Sequence, residues 1–191
     1  LGVKAFREFF GHAPLGYRSQ GGILSRQLLQ VLVDAGIQYD SSLVPSIRPG
    51  VYSNLEAQTQ PHYQDGLPLL EIPMSVIPRV RVLVAASYIR LLGLDTYRML
   101  FKFFGKPSPL IYLFHLVDII PVPMRKRLSP ILKLAYGVRE NQGISYFEKT
   151  VHYFQSCGYR SATMSELYFE SKRKLSNPRT AHTPAGLQTE R

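Results

Sequence analysis

Residues 14–18 read PLGYR, and residues 36–42 read GIQYDSS. Each segment follows a stretch with helical spacing of apolar residues, and each contains a short β-type run that ends at a charged residue, Arg18 or Asp40. The apolar run that ends at His115 has the same form. Because repeating βα units present polar side chains from the ends of their strands, these three residues are the first candidates for a functional site.

Helical and extended patterns alternate along the chain, with glycine or proline at most of the boundaries. Helices are predicted over residues 3–10, 25–35, 86–92, 94–104, 124–136, 144–158 and 165–169. Strands are predicted over residues 15–18, 37–39, 69–74, 80–84, 110–115 and 159–163, and a long irregular loop over residues 43–68. The alternation predicts an α/β fold with a parallel sheet.

The chain has 191 residues, of which 45% are hydrophobic and 12% aromatic, and this is enough for one packed domain. We expect that domain over residues 1–170 and a disordered basic tail over residues 171–191, where apolar residues are few. The single cysteine, Cys157, excludes an internal disulfide and a cysteine-rich zinc site. No run of eighteen apolar residues predicts a membrane-spanning helix, and the start at Leu1 is typical of the middle of a protein.

The net charge of +10 is concentrated in segments that are also rich in Leu, Phe and Tyr, such as YRMLFKFF at 97–104. A basic, apolar helix of this kind fits an anionic membrane surface or a lipid-linked substrate. It also fits a buried helix whose long cationic side chains reach solvent, and we favour this interpretation because one helix face must cover the sheet. Nucleic acid is not an expected partner, since only the charge supports it and the sequence contains no recognition module.

Several segments follow one another in the order found in a known family. They are FFGHAPLGYR at 9–18, DAG at 34–36, YDSS at 39–42, LEIPMS at 70–75, YLFH at 112–115, FQSCGYR at 154–160 and TMSEL at 163–167. Together they resemble the polysaccharide deacetylases, which are also called NodB-homology or carbohydrate esterase family four domains. The resemblance extends over residues 1–170 and covers the C-terminal part of such a domain.

The resemblance implies a hydrolase that removes an N-acyl group, such as acetyl, from an amino sugar in a glycan. It also implies an α/β fold in the form of a partial, distorted (β/α) barrel with parallel strands, with the N-terminal strands missing. In the family an aspartate and two histidines hold a divalent metal, zinc or a similar ion, that polarises the amide carbonyl and activates water. Another aspartate acts as the base, and a late histidine protonates the departing amine.

Carried over residue by residue, the resemblance makes His115 the general acid and Arg18 the arginine that orients the catalytic base. Asp40 is expected to hold or tune Arg18 through a charge-assisted pair. Tyr17 and Asp118 are the expected substrate-binding residues, although Asp118 could instead orient His115 or simply begin a loop. The family has a proline two residues after its arginine, which this chain lacks, so the adjoining loop is expected to differ.

The metal-binding motifs of the family belong before Leu1, and the five histidines of this chain show no metal-ligand spacing. The resemblance therefore implies a divalent metal for the complete domain and no cofactor held by this chain, which is expected to be inactive as a fragment. The expected partner is an amino-sugar polysaccharide or a lipid-linked sugar, with an anionic membrane surface as a further candidate. The alternative is a degenerate member that binds such a sugar without turnover.

Each of these residues also has a purely structural interpretation. Arg18 and Asp40 would form an ion pair between neighbouring strands, and His115 would be a hydrogen-bonded core histidine. Glu71 would point either to the mouth of the barrel or, as an alternate position of its strand, to solvent. Cys157, which precedes a helix-ending glycine and has no evident base partner, is expected to pack rather than to react.

Overall fold

The computed structural model describes residues 2–22, 24–48, 52–120 and 137–177, and these form an α/β protein, as the sequence predicts. The described α-helices are α1 (Gly2–Phe10), α2 (Arg26–Asp34), α3 (Ala86–Leu92), α4 (Leu94–Phe104), α5 (Leu116–Ile119), α6 (Gly143–Ser156) and α7 (Met164–Ser176). The described strands are β1 (Gly16–Tyr17), β2 (Tyr39–Asp40), β3 (Ile47–Arg48), β4 (Tyr52–Ser53), β5 (His62–Tyr63) and β6 (Leu70–Glu71).

The main sheet has four strands in the order β1-β2-β6-β5. The strands β1, β2 and β6 are parallel neighbours, with Tyr17 opposite Asp40 and Asp40 opposite Glu71, whereas β5 runs antiparallel to β6. The strands β3 and β4 form a separate antiparallel pair. The predicted parallel pairing is therefore confirmed for three strands, and within the described residues the sheet stays open and does not close into a barrel.

The chain divides into two compact units, which we call the sheet unit and the helical unit. The sheet unit comprises Leu1–Ser41, Pro61–Ile72 and Ala162–Arg191. The helical unit comprises Ser42–Gln60 and Pro73–Ser161. Each unit has its own hydrophobic core.

In the sheet unit, the apolar side of α2 packs on the segments that lead into the strands. Leu29 and Leu32 of α2 contact Ile37, just before β2, and Leu69, just before β6. Ser25 caps α2 as predicted, because its side chain accepts the third peptide N–H of the helix at 3.2 Å. The helix is thereby fixed against the strands that carry the candidate residues.

A second contact in the sheet unit joins β2 to the last helix. The ring of Tyr39 stacks on the ring of Tyr168 in α7, with centroids 5.4 Å apart. Residue 16 of β1 lies so close to this pair that a Cβ atom there would be 2.0 Å from the Tyr39 ring. Only glycine fits at that position without displacing the tyrosine.

In the helical unit, α3, α4 and α6 enclose one core. Its buried members are Ile77, Val84, Ile89, Leu94, Tyr97, Phe101 and Phe154. The predicted helices on either side of Gly93 are confirmed, and this glycine has a φ of +92°. Tyr97 is fully buried and its hydroxyl donates to the Leu83 carbonyl oxygen at 2.6 Å, which gives the one polar group of this core a partner.

Three predicted strands are wrong. Residues 80–84 and 110–115 contribute only isolated bridges, Leu83 with Val76 and Leu113 with Ala85, and residues 159–163 are irregular. Their apolar side chains are explained by the helices instead, since Tyr112 packs on the core of the helical unit. A short apolar run indicates that a segment is buried, but it does not indicate whether the segment pairs in a sheet or packs against helices.

Two further boundaries differ from the predictions. Residues 43–68 are not wholly irregular, because they contain β3, β4 and β5. The last helix is capped by Thr163 rather than Ser165, and it continues to Ser176 rather than ending near Phe169. The prediction of disorder is therefore wrong for residues 171–176.

The predicted basic helix at 124–136 and residues 178–191 of the predicted tail lie outside the described residues. In the part of the chain that the structure describes, no helix is both long enough and apolar enough to cross a membrane.

Candidate functional site

The side chain of Arg18 extends from the carboxyl end of β1 to Ser41, which follows β2. Its Nε donates to the Ser41 carbonyl oxygen at 2.9 Å, and its Nη2 donates to Ser41 Oγ at 2.8 Å. Ser41 Oγ in turn donates to the carbonyl oxygen of Ile72 at 2.7 Å. One chain of hydrogen bonds therefore links the residues that follow β1, β2 and β6.

The parallel register explains why these groups meet. Tyr17, Asp40 and Glu71 are the last residues of β1, β2 and β6 and lie side by side across the sheet. Beyond them, the peptide N–H of Ser41 donates to the Tyr17 carbonyl oxygen at 3.0 Å, and that of Ile72 to the Asp40 carbonyl oxygen at 2.8 Å. Polar groups therefore gather at the carboxyl end of the parallel strands, where α/β folds usually bind ligands.

Two acidic residues are fully buried in this row, Asp40 and Glu71. Arg18 keeps part of its surface exposed. Partial desolvation of its guanidinium lowers the pKa of Arg18, while the charge of Asp40 and, less strongly, that of Glu71 act to raise this pKa. The charge of Asp40 therefore acts on Arg18, and Ser41 accepts two hydrogen bonds from the Arg18 side chain. We call Arg18, Asp40, Ser41 and Glu71 the strand-end cluster.

Two features in and beside the strand-end cluster were not predicted from the sequence. Glu71 faces neither solvent nor an open mouth, because it is fully buried and its Oε2 accepts a hydrogen bond from Gln64 Nε2 at 3.3 Å. His62 of β5 lies directly opposite Glu71 in the antiparallel pair. His62 carried no signal in the sequence, since it falls within a segment predicted as a loop.

Tyr17, which was expected to bind substrate, is half-buried beside Arg18. Its ring packs against the core of the sheet unit. A substrate-binding role for Tyr17 stays a prediction.

His115 lies in the helical unit, immediately before α5. Its side chain is 64% exposed, so it is not a core histidine. Its peptide N–H donates to Asp118 Oδ2 at 2.9 Å, and its Nδ1 lies 3.6 Å from the same oxygen. The Asp118 carboxylate therefore fixes the backbone of His115 and stands beside its imidazole, while the opposite side of the ring remains accessible.

Asp118 is itself fixed by contacts with neighbouring residues of the helical unit. Its side chain is 1% exposed, and its carbonyl oxygen accepts a hydrogen bond from Nη1 of the buried Arg90 at 2.9 Å. Arg139 donates in turn to the Arg90 carbonyl oxygen. Gly143 lets α6 approach, because a Cβ atom there would lie 2.8 Å from the Asp118 carbonyl oxygen. The supporting role of Arg90 was missed, since the sequence suggested that the cations of this segment reach solvent.

The structure thus brings the predicted residues together in two groups. Arg18, Asp40 and Tyr17 are neighbours in the sheet unit, and His115 and Asp118 are neighbours in the helical unit. Among residues 2–22, 24–48, 52–120 and 137–177, no group of three or more His, Cys, Asp or Glu side chains is arranged to hold a metal ion. The described residues therefore provide no set of ligands for the divalent metal, whose binding motifs the resemblance places before Leu1.

Compared with known proteins, the chain matches no family model and none of the curated proteins.

Proposed function

We propose that this chain is the C-terminal part of a polysaccharide deacetylase-like hydrolase, which removes N-acyl groups from amino sugars of a glycan and has the partial (β/α) barrel of that family. The observation that carries the proposal is the bond pattern of Arg18, which joins the ends of two parallel strands through Ser41. An arginine fixed at that place can orient an acidic side chain or a substrate carbonyl group.

The order of the strands supports the same proposal. Arg18 follows β1 and Asp40 ends β2, and these adjacent parallel strands hold the two motifs that resemble the family. In a βα-repeating fold, catalytic residues come from the ends of successive strands. The buried charge of Asp40 favours a fixed, charged guanidinium, which suits a positioning residue.

His115 suits the role of general acid. Hydrolysis of an amide requires a proton on the departing nitrogen, because an amine anion is a poor leaving group. The exposed imidazole can supply that proton, and the buried Asp118 carboxylate lies 3.6 Å from its Nδ1. Asp118 then acts as a positioning residue for His115 rather than through direct contact with the sugar.

No step is assigned to a metal, because the described residues do not provide a set of ligands for one. What these residues can do is hold a guanidinium at a strand end, present an imidazole to solvent and bury two acids. In N-deacylation a fixed guanidinium suits positioning, and an exposed imidazole suits proton transfer.

A second candidate function is a non-catalytic protein that binds glycan or a lipid-linked sugar at an anionic membrane surface. One face of α4 favours it. Met99 and Phe103 are 52% and 65% exposed on this face, beside the exposed cations Arg98 and Lys102. Exposed apolar and basic side chains on one helix face are typical of peripheral membrane contacts.

Acetate release distinguishes the two functions. The protein, expressed as it is encoded in its natural gene, is incubated with N-acetylglucosamine oligomers with and without added zinc ions, and free acetate is measured. If the protein is a hydrolase, we expect acetate to be released and free amines to form on the oligomers in equal amounts. Binding of the oligomers without acetate, detected by isothermal titration calorimetry, would support the non-catalytic function instead.

A further inference from the structure

A cavity of about 400 Å³ lies in the helical unit, and its lining includes no residue of the two groups described above. It is lined by Thr59, Gln60, Ser75, Val76, Pro78, Arg79, Arg81, Lys106, Pro107 and Ser108. Sites for small molecules commonly occupy 300–1,000 Å³. The cavity is therefore large enough for a compact ligand such as a sugar phosphate.

The lining of this cavity is strongly cationic. It includes Arg79, Arg81 and Lys106, and none of its described lining residues is acidic. The side chains of Thr59 and Gln60 add neutral hydrogen-bonding groups. Three positive charges around one concave surface favour an anion with several oxygen atoms.

Two of these cations are held by neutral partners. Arg81 Nη1 donates to the Ala57 carbonyl oxygen at 3.0 Å, and Lys106 Nζ donates to the Cys157 carbonyl oxygen at 2.9 Å. A carbonyl oxygen orients a cation without neutralising it. Arg81 and Lys106 therefore keep their positive charges at the lining of the cavity.

The backbone that presents the arginines is unusual. Arg79 and Arg81 have φ angles of +65° and +57°, which glycine or asparagine would adopt with less strain. They belong to a tight connection closed by the hydrogen bond from the Ile77 N–H to the Val82 carbonyl oxygen at 2.8 Å. Ser46 Oγ also donates to the Arg81 carbonyl oxygen at 2.7 Å. Strain of this kind persists where neighbouring contacts enforce it, and it is concentrated at ligand sites.

We propose that this cavity binds a phosphate or pyrophosphate group, with Arg79, Arg81 and Lys106 as its cationic partners. Arginine forks fit two phosphate oxygens at once, and a lysine adds a point charge. The group belongs either to a soluble phosphorylated molecule or to the headgroup of a lipid. This site is independent of the proposed deacylating residues, so the failure of either proposal leaves the other intact.

The test uses inorganic pyrophosphate as the probe and isothermal titration calorimetry at about 0.15 M ionic strength, where weak surface attraction is screened. Arg79→Gln is expected to weaken binding about tenfold, because a charge-assisted contact is lost. Arg79→Gly removes the same charge and also relieves the strained backbone, so it is expected to lose binding without losing stability. Arg7→Gln is the matched control, since it removes the same charge from an exposed helical residue that does not line the cavity.

A second arm identifies the source of the phosphate. Sedimentation with phosphatidylcholine vesicles that contain phosphatidic acid is compared with sedimentation with pure phosphatidylcholine vesicles. Binding of pyrophosphate indicates a soluble ligand, whereas binding of phosphatidic acid vesicles alone indicates a lipid headgroup, and both require sensitivity to Arg79→Gln. The proposal is overturned if neither probe binds, or if Arg7→Gln weakens binding as much as Arg79→Gln does.

Discussion

Arg18 and Ser41 are joined by two hydrogen bonds, one to the carbonyl oxygen and one to the hydroxyl of the serine. The same hydroxyl donates to the Ile72 carbonyl oxygen, so it connects the ends of all three parallel strands. The strand-end cluster therefore depends on Ser41, which lies in the motif at 39–42 and for which the sequence indicated no role.

Replacing Ser41 is expected to loosen this arrangement. Ser41→Ala removes a fully shielded hydroxyl and leaves both the Arg18 guanidinium and the Ile72 carbonyl oxygen without that partner. We expect the free energy of unfolding, measured by urea denaturation, to fall by about 1–3 kcal/mol. Ser156→Ala is the control, because Ser156 is exposed on α6 and its loss should change stability by less than about 0.5 kcal/mol. Equal effects of the two substitutions would contradict a structural role for Ser41.

The tight contact at residue 16 gives a second prediction. Gly16→Ala places a Cβ atom 2.0 Å from the Tyr39 ring, which is already fixed by stacking on Tyr168. Overpacking of this kind is expected to cost about 1–3 kcal/mol in urea denaturation. Gly2→Ala introduces the same methyl group where no atom lies within 4 Å, and it should leave stability nearly unchanged. A Gly16→Ala variant as stable as the wild type would show that β1 and β2 are less closely packed than described.

Alkaline pH is expected to destabilise the helical unit. Burial raises the pKa of Tyr97, Tyr112 and Tyr153 above the ordinary value of 10.0, and it raises the pKa of Tyr159 to about 12. Because these pKa values are higher in the folded state, the unfolded chain loses its protons first as the pH rises. The stabilisation is complete below about pH 10 and is lost progressively above it.

The measurement is the urea midpoint between pH 8 and pH 11, for the wild type and for Tyr97→Phe. Tyr97→Phe is expected to be less stable at pH 8, since the Leu83 carbonyl oxygen loses its hydrogen bond. Its stability should also decline less steeply at alkaline pH, because one raised pKa has been removed. Parallel pH profiles for the two proteins would argue against a contribution from Tyr97.

Acidic pH is expected to weaken the start of α7. Hydrogen bonds from the N–H and the hydroxyl of Thr163 lower the pKa of Glu166 below its ordinary value. This contribution to stability is present above the unfolded pKa of 4.5 and is lost as the pH falls through the lower folded value. Glu166→Gln should therefore be less stable than the wild type at pH 7 by thermal denaturation, and the difference should shrink toward pH 3. A difference that is constant with pH would contradict the capping role.

Most of the described helices and the first strands were predictable because their boundaries carry local signals. Gly93 separates α3 from α4, and Ser25 caps α2, as the sequence indicates. The cap of α7 could also have been predicted, since Thr163 and Glu166 have the spacing of a capping box. We predicted Ser165, two residues later, as the cap instead. Local chemistry therefore fixes most helix ends.

The remaining features depend on tertiary structure. The run ending at His115 is as apolar as a buried strand, yet only Leu113 pairs with a neighbour, and Asp118 turns the chain into α5. Likewise, the position of Asp40 after an apolar run was enough to make it a candidate site residue. The burial of Glu71 and Arg90 depends on hydrogen-bond partners that are not adjacent in sequence, Gln64 and Asp118. The spacing of apolar residues in the sequence does not indicate such partners.

The central claim is that His115 supplies a proton during N-deacylation, and the rate of acetate release from N-acetylglucosamine oligomers tests it most directly. His115→Ala is compared with His152→Ala, which removes an exposed histidine whose ring bonds to the Glu148 carbonyl oxygen of its own helix. The account predicts that His115→Ala loses about 10²–10⁴-fold in rate with an unchanged urea midpoint, while His152→Ala keeps the wild-type rate. Equal rates for His115→Ala and the wild type would contradict it.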